Sequence, residues 1–122
     1  MYKRQDKDEQ GFIYVFVDPK RPTLRKIGRA TNDVWGRQKK IQYECGIPLK
    51  LIHERTVKYH KRAETLIHCD LLDLCQPYVC EKCGKRHSEW FSVGDQLART
   101  VVDKWVDFIN QERPYDLSLI HI

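Results

Sequence analysis

The chain has 122 residues, of which 41% are hydrophobic and 32% charged, and its formal net charge at pH 7 is +5. This length suits one folded domain with a modest core, and the composition argues against a disordered chain. Its longest apolar runs span only a few residues, which excludes a membrane-spanning segment. Residues 1–10 are rich in charge, so no secretory signal peptide is expected, and the sequence predicts an intracellular protein, nuclear or cytoplasmic.

The first half of the chain predicts a β-hairpin followed by a helix. Residues 1–10 show no periodicity and are expected to form a mobile tail. A run of β-branched and aromatic residues over 12–17 predicts a buried strand, and residues 24–28 predict a second strand after a loop with two prolines. Polar residues at 31–33 favour the start of a helix, and Gly46 with Pro48 favours its end, so a helix is expected over 33–44.

The second half predicts a strand, a helix, a polar segment and a closing strand and helix. Alternation over 49–57 indicates a strand, and apolar spacing indicates amphipathic helices over 60–74 and 95–111. A short strand is expected over 89–93. Together these elements predict an α+β fold with a small, mainly antiparallel sheet flanked by helices. The predicted domain covers 11–112, with tails at 1–10 and 113–122.

Basic residues are concentrated between positions 20 and 40. This stretch contains eight basic residues against a single acid, Asp33. The basic residues are Lys20, Arg21, Arg25, Lys26, Arg29, Arg37, Lys39 and Lys40. Such a local excess favours a polyanionic partner, although a solvated basic surface explains the charge equally well.

A cluster of soft ligands indicates a zinc site. Cys80, Cys83 and His87 follow the spacing Cys-x-x-Cys-x-x-x-His, and Gly84 follows the second cysteine. This spacing is typical of an inserted zinc knuckle, expected at about residues 75–88. A structural zinc takes four ligands, and the preceding helix offers two candidates for the fourth, His68 and Cys75. Both remain open, whereas Cys69 is expected to pack as a small apolar residue.

Several short motifs in a fixed order resemble a known family. The chain contains Gly-Phe-Ile-Tyr-Val at 11–15, Lys-Ile-Gly-Arg at 26–29, an arginine in the first helix, Ala-Glu and Leu-Ile-His at 63–68, and Glu-Trp-Phe at 89–91. This order resembles the GIY-YIG endonuclease domains, and most closely the Orf172-type DNA-binding domain of bacteriophage T-five, over about residues 11–110. The Cys/His element just before Glu-Trp-Phe resembles the fungal members.

The resemblance implies roles for individual residues. Tyr14 matches the tyrosine beside the attacking water, Arg37 the arginine that stabilises charge on the phosphate, and Glu64 the glutamate that binds a divalent cation, Mg²⁺ or Mn²⁺. Carboxylates suit such hard cations, and guanidinium groups suit phosphate oxygens. The resemblance also favours His68 as the fourth zinc ligand.

Two positions depart from the superfamily pattern. Lys26 replaces the tyrosine of the second motif, where it resembles the Orf172-type branch and offers a cation to the phosphate. Ile41 stands where a histidine or tyrosine is expected one turn after Arg37. The residues expected to contact DNA are Arg25, Lys26, Arg29, Arg37, Lys39 and Lys40.

Three hypotheses follow for the function. The first is a module that binds duplex or branched DNA and cleaves it with a divalent cation, through Tyr14, Lys26, Arg37 and Glu64. The second is a module that binds DNA without cleavage, which the loss of the tyrosine at position 26 favours. The third is a zinc-stabilised protein-interaction domain, supported by the mixed surface charge and by the lack of a basic run interleaved with aromatic residues.

Overall fold

Six strands and three helices make up residues 9–111, the part of the chain that the computed structural model describes. In chain order they are β1 (Gly11–Val17), β2 (Arg25–Ala30), α1 (Val34–Cys45), β3 (Lys50–Val57), α2 (His60–Asp70), β4 (Tyr78–Val79), β5 (Arg86–His87), β6 (Trp90–Phe91) and α3 (Asp95–Gln111). Among these residues no helix has the combination of length and apolar character that a transmembrane segment requires.

Four of the strands form one antiparallel sheet in the order β3-β1-β2-β6. Tyr14 lies opposite Gly28 in β2, and β6 pairs with β2 at Arg25 and Lys26. The two-residue strands β4 and β5 form a separate hairpin, with Tyr78 opposite His87. The structure therefore confirms the predicted α+β class with a small antiparallel sheet.

The two faces of the sheet bury different cores, because neighbouring side chains of a strand point to opposite sides. On one face Ile13 and Val15 of β1 pack with α2 and α3, through residues such as Ile67 and Val102. On the other face Tyr14 and Phe16 pack with α1 and the β4–β5 hairpin through Ile41, Cys45 and Cys80, and Trp90 of β6 belongs to the same core. Tyr14 therefore faces α1 and the Cys/His element.

The ends of α1 are fixed by its flanking residues, as the sequence predicts. The Asp33 side chain accepts a hydrogen bond from the Gly36 amide and caps the first turn. Gly46 adopts a left-handed conformation, with φ of 65°, and its amide donates to the Gln42 carbonyl at 2.9 Å. Cys45 is consequently the last helical residue, and its side chain is buried.

Three predicted elements differ from the structure by more than one residue at an end. Helix α2 ends at Asp70 rather than at residue 74, because the chain tightens into a 3-10 turn over Leu72–Leu74. Beyond this turn the Gln76 amide donates a hydrogen bond to the Trp90 carbonyl at 2.8 Å. The strand expected over 89–93 is confined to Trp90–Phe91, and the strand expected over 24–28 runs over Arg25–Ala30. The tails expected at 1–10 and 113–122 lie outside the described residues, apart from positions 9 and 10.

Candidate functional site

A polar cleft of about 420 Å³ lies between the end of β2 and the N-terminal turns of α1. Glu64 of α2 and Glu89, the residue before β6, complete its lining, and Arg37 and Lys40 enter it from α1. Glu89 lies beside β2, because its carbonyl accepts a hydrogen bond from the Ile27 amide of that strand at 3.0 Å. The predicted residues Arg37 and Glu64 thus meet, although they lie on different helices.

Glu64 is held by an ion pair within the cleft. Its Oε1 lies 3.1 Å from Nε of Arg29, a residue near the end of β2. Burial, and secondly the charge of Glu89, raise the pKa of Glu64 above the ordinary value of a glutamate. A half-buried carboxylate beside a second carboxylate has oxygen donors of the kind that divalent cations prefer.

Glu89 is the second carboxylate of the cleft, and it pairs with Lys26. The Lys26 side chain is buried, and its Nζ lies 2.9 Å from Glu89 Oε1. Burial alone would raise the pKa of Glu89, but the Lys26 ammonium outweighs it, and the net pKa is lowered. The pKa values of the two carboxylates in this cleft are therefore shifted in opposite directions, that of Glu64 upward and that of Glu89 downward.

The Tyr14 hydroxyl lies beneath the cleft, next to Glu89. A side chain built on Gly28 would start 2.5 Å from that hydroxyl and 2.9 Å from Glu89 Oε1, so only glycine leaves them this space. Tyr14 is 0% exposed, and neither its hydroxyl nor Nε of Arg37 has a hydrogen-bond partner within residues 9–111. Burial and the Glu89 charge raise the Tyr14 pKa, and the nearby Arg37 guanidinium only partly offsets them. Tyr14 is consequently a protonated donor rather than a phenolate at neutral pH.

Of the six residues expected to contact DNA, four line the cleft or the groove beside it and two lie elsewhere. Arg29, Arg37 and Lys40 line the cleft. Lys26 lines an adjoining groove. Arg25 lies elsewhere, because its guanidinium binds Asp95 at 2.7 Å and the Pro22 carbonyl at 2.7 Å. Lys39 is on the outer surface of α1, where its Nζ lies 4.9 Å from the Trp35 ring centroid.

The adjoining groove, of about 310 Å³, extends the cleft toward the β4–β5 hairpin. The two share Arg37, Lys40 and Glu89, and the hairpin adds Lys85 and Arg86. Sequence reasoning missed Lys85 and Arg86, because it treated their segment only as a metal element. It also quoted Glu89 within a motif without giving it a role.

Four potential ligands meet beside this groove: Cys45, Cys80, Cys83 and His87, with all ligand atoms within 4.8 Å of one another. Cys45 Sγ lies 3.9 Å from Cys83 Sγ and 3.6 Å from Nε2 of His87. A disulfide needs about 2.05 Å, whereas tetrahedral zinc at about 2.3 Å from each sulfur sets sulfurs roughly 3.8 Å apart. The cluster could therefore hold a metal such as zinc.

The knuckle predicted from the sequence supplies three members of this cluster. Its turn closes through the Gly84 amide, which donates to the Cys80 carbonyl at 2.8 Å, and Gly84 has a positive φ of 75°. The fourth member is Cys45, which the sequence did not single out. Its one signal is its position four residues after Ile41 on the buried face of α1.

Neither of the two residues expected as the fourth ligand lies in the cluster. His68 Nε2 donates to the Ile27 carbonyl at 2.7 Å, and its ring packs 5.0 Å from that of Phe91. Cys75 Sγ lies 3.3 Å from the Ser88 carbonyl. The helical stripe placed both residues on one face of α2, but that helix packs against β2 and α3, while α1 reaches the knuckle.

A comparison with known families identifies the family of the domain. The model of the T5orf172 domain matches residues 11–110. No curated protein and no solved structure matches the chain. Since the match covers most of the chain and every element from β1 to α3 but the last residue, the chain belongs to the T5orf172 domain family, a family of GIY-YIG-like, DNA-binding domains.

Proposed function

We propose that this domain binds DNA along the groove between α1 and the β4–β5 hairpin, and that it hydrolyses a phosphodiester bond when a divalent cation is bound at Glu64. The observation that carries the proposal is the convergence of Tyr14, Arg37, Glu64 and Glu89 on one cleft with a basic rim. Family membership supports the DNA-binding part.

The charge distribution supports binding of a phosphate backbone. Arg37 and Lys40 line both the cleft and the groove, and Lys85 and Arg86 continue the positive charge onto the hairpin. Cations arranged along a continuous path neutralise successive phosphates and release their counterions. Such contacts position the nucleic acid without reading its sequence.

The carboxylates support a cation at the cleft. Glu64 and Glu89 contribute oxygen donors of the type that Mg²⁺ or Mn²⁺ takes, and Glu64 is half-buried. A bound divalent cation would stabilise the negative charge that develops on the phosphoryl group. Because Arg29 pairs with Glu64 through Nε, a cation at Glu64 would release that nitrogen to donate to phosphate, while Nη1 lies 3.3 Å from His60 Nδ1.

The remaining side chains would position the substrate. Arg37 projects from α1 into the cleft and can donate to a non-bridging phosphate oxygen. Tyr14, which stays protonated, can donate a hydrogen bond from below the cleft once its hydroxyl is reached. Glu89 is kept ionised by Lys26, so it holds a fixed negative charge next to that hydroxyl.

Binding without cleavage is the second candidate, and a specific observation favours it. Lys26 replaces the tyrosine of the second motif, and its ammonium is committed to Glu89 at 2.9 Å rather than to the open cleft. The buried Tyr14 hydroxyl is also closed to solvent in this conformation. A domain with this arrangement retains its basic groove whether or not it cleaves.

A structural zinc at the Cys/His cluster completes the proposal. Three thiols and an imidazole are a donor set that zinc prefers, and their separations suit tetrahedral coordination. Bound zinc would fasten the β4–β5 hairpin to the end of α1. It would thereby hold Lys85 and Arg86 at the groove.

The deciding experiment is nicking of supercoiled plasmid by the purified zinc-bound protein. We expect nicking with Mg²⁺ or Mn²⁺ and loss of nicking in Glu64→Ala. Without added divalent cation the variant should retain its DNA affinity, since removing an acid cannot weaken attraction to phosphate. Arg37→Ala should lose both rate and affinity, because it contacts phosphate in the ground and transition states alike.

Each outcome of this assay is informative. Absence of nicking together with salt-sensitive binding would leave the binding-only function. Nicking that persists in Glu64→Ala would contradict the role given to Glu64. Absence of DNA binding under any condition would overturn the whole proposal.

A further inference from the structure

Helix α1 exposes two aromatic side chains that take no part in either core. Trp35 is 68% exposed and Tyr43 is 82% exposed, the highest values of any aromatic residue within 9–111. The opposite face of the same helix buries Val34, Ile41 and Cys45. Two such exposed rings on one helix, facing away from the core, offer aromatic surface that a binding partner could cover.

The two aromatics belong to a stripe that also carries lysines. Successive helical residues rotate by about 100°, so residues four apart differ by only about 40°, and Trp35, Lys39 and Tyr43 form one line. Lys39 Nζ lies 4.9 Å from the Trp35 ring centroid. Lys82, from the turn between β4 and β5, places its Nζ 5.8 Å from the Tyr43 ring centroid. We call Trp35, Lys39, Tyr43 and Lys82 the aromatic stripe.

The aromatic stripe adjoins the proposed DNA groove. On the helical wheel Lys40 lies between Arg37, which faces the cleft, and Tyr43. A polynucleotide strand that leaves the groove at Lys40 therefore meets the stripe next. The order along this path is phosphate-binding cations first and alternating aromatic rings and ammonium groups after them.

This chemistry suits unpaired nucleobases. Aromatic rings stack on exposed bases regardless of sequence, while neighbouring lysines contact the phosphates that link them. Base pairs within a duplex offer no free face for such stacking, because each lies between two neighbouring pairs. Resting on the proposed DNA-binding function, we infer that the aromatic stripe binds a single-stranded DNA segment and that the domain prefers DNA in which duplex and unpaired strand adjoin.

The test compares two labelled DNAs that share one duplex, a blunt duplex and the same duplex with a single-stranded oligo-dT tail. Fluorescence anisotropy should show that the protein binds the tailed DNA about tenfold more tightly, since stacking one base contributes on the order of 1–3 kcal/mol. The Trp35→Ala/Tyr43→Ala variant should lose this preference and keep its affinity for the blunt duplex. Phe108→Ala, which removes a 53% exposed aromatic from α3, is the matched control and should keep the preference.

A second readout follows the stacking itself. Oligo-dT alone should quench the tryptophan fluorescence of the protein by stacking on Trp35. The quenching cannot come from Trp90, because Trp90 is 1% exposed and buried in the core. Trp105 is half-buried on α3, and its indole donates to Asp70 at 2.9 Å. The Trp35→Phe variant should therefore lose the quenching and keep most of the affinity for the tail, since phenylalanine also stacks.

Several outcomes would overturn the inference. Equal affinity of the wild-type protein for both DNAs is one, and an equal loss for both DNAs in the double variant is another. Self-association that the double variant abolishes would assign the stripe to a second copy of the chain.

Two further outcomes separate the inference from the proposed groove. Binding of the tailed DNA without binding of the blunt duplex would support the stripe while contradicting the duplex groove. Absence of binding to either DNA would contradict both.

Discussion

The cleft and the Cys/His cluster are both assembled from distant residues, yet they balance their charges in opposite ways. Each carboxylate of the cleft is paired with a cation, Glu89 with Lys26 at 2.9 Å and Glu64 with Arg29 at 3.1 Å. The cluster consists of three thiols and an imidazole that face one another within 4.8 Å. The carboxylates of the cleft thus already have cationic partners, whereas the cluster presents donors that a cation would bind. Removing metal should therefore disturb the cluster far more than the cleft.

The largest effect should come from Cys45, the member of the cluster that lies on α1. Cys45→Ser should lose bound zinc and several kcal/mol of unfolding free energy, as should Cys83→Ser, because metal-binding energy is also folding energy. Cys69→Ser, at an exposed position, is the matched control and should keep both. Zinc analysis and chemical denaturation measure these effects. Full zinc occupancy in Cys45→Ser would show that Cys45 is not a zinc ligand.

The ion pair beneath the cleft should give the next largest effect. Lys26→Met leaves the Glu89 carboxylate without its partner in a largely buried site and should cost about 2–3 kcal/mol. The double variant Lys26→Met/Glu89→Gln should recover part of that loss. Lys104→Met, which breaks a more exposed pair with Asp70, should cost at most about 1 kcal/mol. Equal losses in the two single variants would show that burial does not make the Lys26–Glu89 pair more important than an exposed pair.

The pH dependence of cation binding should show whether Glu64 is the ligand in the cleft. The pKa of Glu64 is raised above 4.5, chiefly by burial and then by the charge of Glu89. A cation requires the ionised carboxylate, so Mn²⁺ affinity should fall as the pH decreases through that raised pKa, approaching tenfold per pH unit below it. Calorimetric titration of the zinc-bound protein would show it. Persistence of the same Mn²⁺ binding in Glu64→Gln would place the cation elsewhere.

The smallest effect concerns His68, which the family resemblance favours as a zinc ligand. His68→Ala should keep zinc and lose about 1 kcal/mol, because it removes a hydrogen bond to the Ile27 carbonyl. Mass spectrometry under native conditions, together with denaturation, would report both quantities. Loss of zinc in this variant would restore the ligand set expected from the sequence.

Local patterns allowed most of the fold to be predicted. The apolar run of β1, the Asp33 cap and Gly46 at the end of α1 are signals that act within a few residues, and the structure bears out each of them. The knuckle is local in the same sense, since Cys80, Cys83 and His87 span eight positions. Such features depend on the backbone between neighbours and little on tertiary packing.

Features that depend on tertiary packing were missed. Cys45 is 35 residues before Cys80, and no spacing rule links it to the knuckle until α1 packs over the hairpin. The pairing of Lys26 with Glu89 depends on β2 lying beside β6, and the basic wall at Lys85 and Arg86 depends on the position of the hairpin next to α1. The aromatic stripe was missed for a related reason, because Trp35 and Tyr43 lie too far apart in sequence to read as a basic-aromatic run.

The most direct test of the account is the salt dependence of affinity for a blunt DNA duplex. Lys40→Ala/Lys85→Ala/Arg86→Ala removes charge from both walls of the groove, and Lys50→Ala/Lys58→Ala/Lys104→Ala removes equal charge from exposed positions on β3, the loop that follows it, and α3. The groove variant should weaken binding and reduce the slope of log affinity against log salt by about two to three, and the control should match the wild-type protein. Equal slopes in the two variants would contradict the proposal that DNA lies in this groove.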